Sequence, residues 1–203
     1  MAEAGVAHQQ LVNFWAARSL RRPACNQLDG ESIRQREFIE CLLRERLKPT
    51  DYFQDMLDFG CGIGRFVPFW QNYSGHIWAV DILENDLKEI TSNGINITPV
   101  NGTYPPVYSD RIPPVDLFWS CLVLQHIVDD FLFSLTIAEL SKVIKPGARV
   151  IILDNAVDVA RHVRPRGPDG LAGALGLRKD LRADKVTINK TPKDHWLIDG
   201  FKA

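Results

Sequence analysis

Met56-Leu57-Asp58-Phe59-Gly60-Cys61-Gly62-Ile63-Gly64-Arg65-Phe66 decides the fold. An apolar run ends in an acidic residue, three glycines follow at every second position, and a helix-like pattern resumes at Arg65. That is the pattern of a buried strand, a tight loop and the start of a helix. Glycine is needed where the backbone turns with positive φ and where a ligand must approach the main chain. A helix N-terminus behind such a loop offers unpaired N–H groups to an anionic group. The stretch therefore predicts a nucleotide-like ligand lying over the carboxyl end of the first strand of an α/β sheet.

Upstream, apolar spacing predicts a helix over 8–20, with Leu11, Phe14 and Trp15 on one face. A break follows from Arg21-Arg22-Pro23 to Gly30, and a second helix runs from Glu31 to about Leu47, ended by Pro49 and Thr50. Downstream, a helix over 65–72 leads to a strand at His76–Val80 that ends in Asp81, 17 residues after Gly64. A carboxylate there can accept hydrogen bonds from both hydroxyls of a ribose; the alternative is that Asp81 caps a helix over Leu83–Ser92. Ile82 and Leu83 are placed to sandwich an adenine ring, a role compatible with core packing.

A short strand at Asn96–Val100 leads into Asn101-Gly102-Thr103 and a proline-rich loop over 104–115. Val115–Ser120 is the fourth strand. Asp129-Asp130 open a helix that runs to Val143, favourably placed against its dipole. Lys145-Pro146-Gly147 then reads as a helix stop before a fifth strand at Arg149–Asp154. Residues 155–182 are rich in Gly, Pro and Arg, with a helix expected over 171–182. Val186–Lys190 and Trp196–Lys202 read as a hairpin around Thr191–Asp194. Parallel strands joined by crossover helices build a doubly wound α/β sheet.

The glycine spacing narrows the ligand. A dinucleotide fingerprint places its third glycine five positions after the first; here Arg65 holds that position and Gly64 stands four after Gly60. The resulting [D/E]-x-G-x-G-x-G pattern resembles motif I of the class I S-adenosylmethionine (SAM) dependent methyltransferases. The strand-4 end CLVLQHI and the KPGARVIILD stretch are also similar to that family. The resemblance implies a Rossmann-like, seven-stranded, mainly parallel sheet closed by an antiparallel hairpin. It implies a single domain over 1–203, with 1–50 as an N-terminal helical cap and 51–203 as the α/β core. It also implies that SAM is held by Asp58, Gly60, Cys61, Gly62, Gly64, Asp81, Ile82 and Leu83. Asn101, Gly102 and Thr103 would lie at the adenine, where the alternative for Asn101-Gly102 is a plain turn. Backbone carbonyls at Ser120 or Cys121 would meet the methionine ammonium.

The reaction implied is in-line transfer of a methyl group from a sulfonium, which needs alignment, exclusion of water and, for a protonated nucleophile, a base. His126 is the first candidate base and His162 the second; a structural histidine bonded to the backbone is the alternative. Trp15 and Arg18 could reach the pocket from the first helix, with core packing as the alternative for Trp15. Arg161, Arg164 and Arg166 surround His162 and could hold an anionic substrate group; a solvated loop is the alternative. Asp154-Asn155 resembles the magnesium-binding pair of catechol-type O-methyltransferases, but Ser120 and Cys121 stand where that site needs an Asp, so no metal is expected. A second resemblance is to the protein N-terminal methyltransferases. It rests on LDFGCGIGRF, VDI at 80–82, Gln125-His126 and Leu153-Asp154-Asn155. It implies that Asn155 binds a peptide and that Asp169 is the nearest candidate for an assisting carboxylate. Neither an N-P-P-Y tetrapeptide nor a Pro-Cys pair follows strand 4, which argues against DNA amine and cytosine C5 chemistry.

Composition bounds the rest. With 203 residues, 45% hydrophobic, 24% charged and a net charge of −1, the chain has the make-up of a globular protein. It is not that of a general nucleic-acid binder. It has no run of about 18 apolar residues and no signal-like start, so a cytoplasmic location with free thiols at Cys25, Cys41, Cys61 and Cys121 is expected. The expected function is methyl transfer to an O or N nucleophile of a small molecule. The alternatives are a protein or peptide amine methyltransferase and a non-catalytic SAM-binding regulatory partner. Oligomeric state is left open.

Overall fold

A computed structural model describes residues 2–21, 30–90, 96–157, 163–188 and 194–203. Seven strands form one sheet in the order β3-β2-β1-β4-β5-β7-β6. β1 is Phe53–Phe59, β2 Ser74–Asp81, β3 Ile97–Asn101, β4 Val115–Cys121, β5 Ile144–Asn155, β6 Arg182–Thr187 and β7 Asp194–Phe201. The pairs among β1 to β5 are parallel, and β7 runs antiparallel to both its neighbours. The helices are α1 (Ala2–Arg21), α2 (Gly30–Arg44), α3 (Val67–Trp70), α4 (Glu84–Lys88), α5 (Asp130–Val143) and α6 (Pro168–Leu175). No helix of the described residues is long and apolar enough to cross a membrane.

Side chains alternate across each strand, and both faces of the sheet are apolar, as a parallel sheet covered on both sides requires. Leu57 and Phe59, Phe118, and Val150 and Ile152 join Leu132, Ile137 and Leu140 of α5 in one core. Met56, Leu117 and Trp119, and Ile151 and Leu153 join Ile39 and Leu43 of α2 and Phe69 and Trp70 of α3 in the other. Trp119 is fully buried and lies 5.5 Å from the Phe66 ring and 5.4 Å from the Trp70 ring.

Four predicted boundaries are corrected. α3 is a single turn, because Pro68 and bulky apolar residues are poor helix formers and Asn72 donates to the carbonyls of Pro68 and Phe69, ending it. The helix expected to run on to Ser92 covers only Glu84–Lys88, with Glu89 and Ile90 in a turn; 91–95 lie outside the described residues. Lys145-Pro146-Gly147 is not a stop but an irregularity inside β5, where the register against β4 shifts and Gly147 takes φ +79. The helix expected over 171–182 ends at Leu175, because Gly176 takes the left-handed conformation (φ +62) that closes helices. The chain then becomes β6, a charged edge strand over Arg182–Thr187 where a strand was expected at Val186–Lys190. By contrast, Asp129 caps α5 as expected, accepting from the Leu132 N–H at 2.7 Å.

Trp119 gives a direct test of the core. Trp119→Ala is expected to cost about 3–5 kcal/mol in urea unfolding, the usual loss for a large buried aromatic. Trp119→Phe should cost clearly less, since it keeps most of the ring and removes an indole N–H that has no hydrogen-bond partner among the described residues.

Candidate active site

The glycine loop is built as its sequence requires. Gly60, Gly62 and Gly64 take φ +76, +54 and +79. The N–H groups of Gly60 and Cys61 both donate to the Val80 carbonyl, at 2.7 and 3.0 Å, tying the loop to the end of β2. A Cβ on Gly60 would lie 2.2 Å from Val123 Cγ2, so this glycine lets the loops after β1 and β4 pack together. A Cβ on Gly62 would meet nothing within 4 Å: its missing side chain leaves space facing a cavity. The expected helix N-terminus does not serve the loop, because α3 begins only at Val67; the N–H groups of Gly60, Cys61, Gly62 and Gly64 are all bonded within the protein.

That cavity, of about 630 Å³, lies over the carboxyl ends of β1, β2 and β4, within the ~300–1,000 Å³ span of small-molecule sites. Asp81 stands at its edge. Its carboxylate accepts the Gly62 N–H at 2.8 Å and the Leu83 N–H at 2.9 Å. Each oxygen keeps a lone pair for a further donor. Burial raises the Asp81 pKa, against the two backbone hydrogen bonds. Ile82, Leu83 and Thr103 line the same end. Asp58 lies behind the loop, almost fully buried, and its Oδ2 has no hydrogen-bond partner among the described residues. Burial first, and the charge of Asp81 second, push its carboxyl up to about 7, with Arg65 pulling the other way.

α1 roofs the cavity. His8, Leu11, Trp15 and Arg18 follow helical spacing and all line it. Ser19 donates to Asp86 Oδ1 at 3.1 Å, and on α2 Gln35 accepts from Arg65 at 2.9 Å, so both N-terminal helices are pinned to the loops beneath. Trp15 packs edge-on against His126, with ring centroids 4.8 Å apart. His126 sits in a 3₁₀ turn, Leu124–His126, just past β4. Leu122, at the head of that turn, takes φ +60, a strained conformation for a branched residue that costs roughly 1 kcal/mol. The turn is held from β5: Asp154 accepts the N–H groups of Val123 and Gln125 at 3.1 and 3.2 Å. Burial pushes the Asp154 carboxyl up to about 8, the two backbone N–H bonds opposing it.

Of the residues singled out from sequence, Trp15, Arg18, Gly60, Gly62, Asp81, Ile82, Leu83, Thr103, Cys121, His126 and Asn155 line one cavity. Asp58, Cys61, Gly64, Asn101, Gly102 and Ser120 do not line it. Gly102 instead donates to the Asp81 carbonyl at 2.7 Å, while Asn101 accepts from Arg111 through its carbonyl at 2.7 Å. Burial pushes the Cys121 thiol up to about 12 and that of Cys61 well above its usual value, so neither is a thiolate. Arg161 and His162 lie outside the described residues. Arg164 and Arg166 do not line the cavity. Both pair with Asp130, and Arg166 stacks 3.5 Å over the Phe133 ring, fastening their segment to α5. Asp169 is exposed in the first turn of α6 and stands apart from the cavity lining.

Sequence reasoning missed His195. It is buried, pairs in register with Asn155 across β5 and β7, and lines the cavity. The hairpin strand was expected to begin at Trp196. The alternation that buries Leu197 places His195, two residues earlier, on the same face, and that period could have found it.

Residues 57–152 match the family model described as a methyltransferase domain. No curated protein matches the sequence. Among solved structures, the chain is similar to the N-methyltransferase NodS from Bradyrhizobium japonicum WM9 in complex with S-adenosyl-L-homocysteine. The TM-score is 0.71 at 15% identity, over 97% of this chain and 99% of that one. It is also similar to DhpI in complex with the same ligand, with a TM-score of 0.64 at 17% identity over 96% and 97% of the two chains. A SAM-dependent methyltransferase from Clostridium acetobutylicum ATCC 824 gives a TM-score of 0.61 at 16% identity, over 94% and 99%. At these identities the likeness is one of fold. The chain has the class I SAM-dependent methyltransferase fold.

The raised Asp58 carboxyl has a measurable sign. In the unfolded chain it ionises near its ordinary value of 3.8, and in the folded chain near about 7. Its protonated form therefore costs nothing at low pH, and stability is lost as pH rises between those values and stays lost above them. Asp58→Asn is expected to remove that part of the pH dependence, worth at most about 4 kcal/mol. Thermal unfolding of both proteins from pH 4 to 8.5 checks this: the wild type should fall relative to the variant as pH rises, and parallel curves would refute the assignment.

Proposed function

We propose that the chain is a single-domain SAM-dependent methyltransferase, with α1 and α2 as its cap, that methylates an oxygen or nitrogen nucleophile of a small molecule. The observation that carries this is the cavity itself. A glycine loop with an open Cβ position at Gly62, a carboxylate at the end of β2 and an aromatic-rimmed end near His126 face one space of about 630 Å³. The residues fit SAM. Asp81 would take the ribose hydroxyls, Ile82 and Leu83 the adenine faces, and the Gly60–Gly64 backbone the methionine end. Asp58, with an unpartnered buried oxygen, would favour the methionine ammonium. When bound, SAM supplies a methyl group already activated by its sulfonium.

The chain's own residues then align and protect. α1 covers the cavity and limits the access of water. Trp15, Asn155 and His195 would orient the acceptor, and His126 would take the proton of a nucleophile that carries one. The α1 roof over the cavity supports a small acceptor, and Asp169, the carboxylate sought for peptide chemistry, stands apart from the cavity lining.

Two glycine variants and one histidine variant test this. Gly62→Ala meets no protein atom, so it should cost only about 1–2 kcal/mol of stability from its positive φ. Its S-adenosyl-L-homocysteine affinity by calorimetry should nevertheless fall at least ten-fold. Gly60→Ala collides with Val123 and should instead lower stability severely. Failure of the wild type to bind either SAM or S-adenosyl-L-homocysteine would overturn the proposal. With an acceptor identified, His126→Ala should lower kcat by about 10²-fold or more; unchanged turnover would remove His126 from the mechanism.

A further inference from the structure

Gln125 is buried beside His126, and no motif drew attention to its side chain. Its amide makes two contacts that together fix its orientation. The Asn155 backbone N–H, which can only donate, lies 2.5 Å from one end of the amide, so that end is the carbonyl oxygen Oε1. The amino end, Nε2, is then the atom that lies 3.3 Å from Nε2 of His126. An amide nitrogen only donates, so His126 must accept there. A neutral imidazole that accepts at Nε2 carries its proton on Nδ1.

We infer that Gln125 is a positioning residue. Anchored on the β5 backbone, it selects the Nδ1–H tautomer of His126 and thereby makes Nε2 the ring atom that can receive a proton. The proton balance is simple. On methyl transfer a lone pair on X would form the X–C bond while the methyl–sulfur bond breaks and its electron pair stays on sulfur as a neutral thioether; the X–H pair stays on X, the proton goes to Nε2, and the imidazolium so formed no longer accepts from Gln125. The Gln125 contact breaks as the acceptor's proton arrives, and re-forms when His126 is neutral again. That step rests on the function proposed above; the tautomer does not.

The neighbours of the pair are consistent with a fixed ring. Trp15 packs edge-on against the imidazole from α1. Asp154 holds the backbone of Val123 and Gln125 from β5. The Gln125 carbonyl accepts the Arg164 N–H at 2.7 Å from the segment leading to α6. Gln125 is thus held through its N–H, its carbonyl and its side-chain oxygen, leaving the amino group with one direction to point.

Nitrogen-15 NMR of the protein with ring-labelled histidine, at a pH where imidazole is neutral, reads the tautomer directly. The His126 signals are assigned by their loss in His126→Gln. The wild type is expected to show a pyrrole-type Nδ1 and a pyridine-type Nε2, the reverse of the tautomer that free histidine prefers. In Gln125→Glu the near oxygen still accepts from Asn155, while the far one now accepts rather than donates, so the proton should move to Nε2. Wild-type His126 protonated on Nε2, or a Gln125→Glu spectrum like the wild type's, would overturn the inference. Should Gln125→Glu fail to fold, the wild-type spectrum alone decides. Calorimetry with S-adenosyl-L-homocysteine on the same samples keeps the two proposals apart: absent binding would sink the function and leave the tautomer standing.

Discussion

One carboxylate at the end of β2 sets the geometry on which the cavity depends. Asp81 receives the N–H of Gly62 from the loop after β1 and the N–H of Leu83 from the turn before α4. Two segments that meet at the sheet's carboxyl edge are thereby fixed in register with each other. Without it, the glycine loop would keep its bonds to the Val80 carbonyl and the Gly64 N–H bond to the Cys61 carbonyl, but three residues with positive φ have little preference of their own for one arrangement. The loop owes its conformational freedom to glycine and its single observed shape to Asp81.

The same device recurs across the sheet. Asp154, at the carboxyl end of β5, holds the turn that follows β4 through the N–H groups of Val123 and Gln125. In each case a buried carboxylate on one strand clamps the backbone that leaves the neighbouring strand, and Gly60 lets the two clamped loops touch. Burial of such groups is costly when they carry charge and lack a cation. Burial and the charge of Asp81 raise the cost of ionising Asp58, and Arg65 offsets part of it. The apo site is therefore an electrostatically unsatisfied place, suited to a ligand that brings positive charge. A sulfonium ligand with an ammonium group has that character, whereas an anionic dinucleotide would be repelled.

Most of this frame was legible in sequence because it rests on local rules. Met56–Phe59 ending in Asp58 and three alternate glycines specify a strand and a positive-φ loop whatever lies around them. Asp81 was legible for the same reason, as an acid at the end of an apolar run. What escaped was set by distant partners. α3 shrank to a turn at Pro68, and β6 starts at Arg182 rather than Val186 because its register is set by pairing with β7. His195 reached the cavity through strand register and Gln125 through an amide bonded across two strands. Arg164 and Arg166, which looked like an anion site, were claimed by Asp130 and Phe133, contacts between segments that sequence does not place side by side.

The division between sheet and roof has a consequence for specificity. The groups at the sheet edge are mostly loop backbone and the carboxylates that clamp it, and these cannot distinguish one methyl acceptor from another. The groups that can are side chains, and α1 contributes His8, Leu11, Trp15 and Arg18 along one helical stripe. Among the described residues this helix is held by the Ser19–Asp86 bond, by packing of Ala4, Ala7 and Leu11 on the core, and by ring contacts of His8 with Tyr104 and of Trp15 with His126. On the function proposed above, the cofactor would rest on the clamped loops and the acceptor would meet the side chains of this helical stripe.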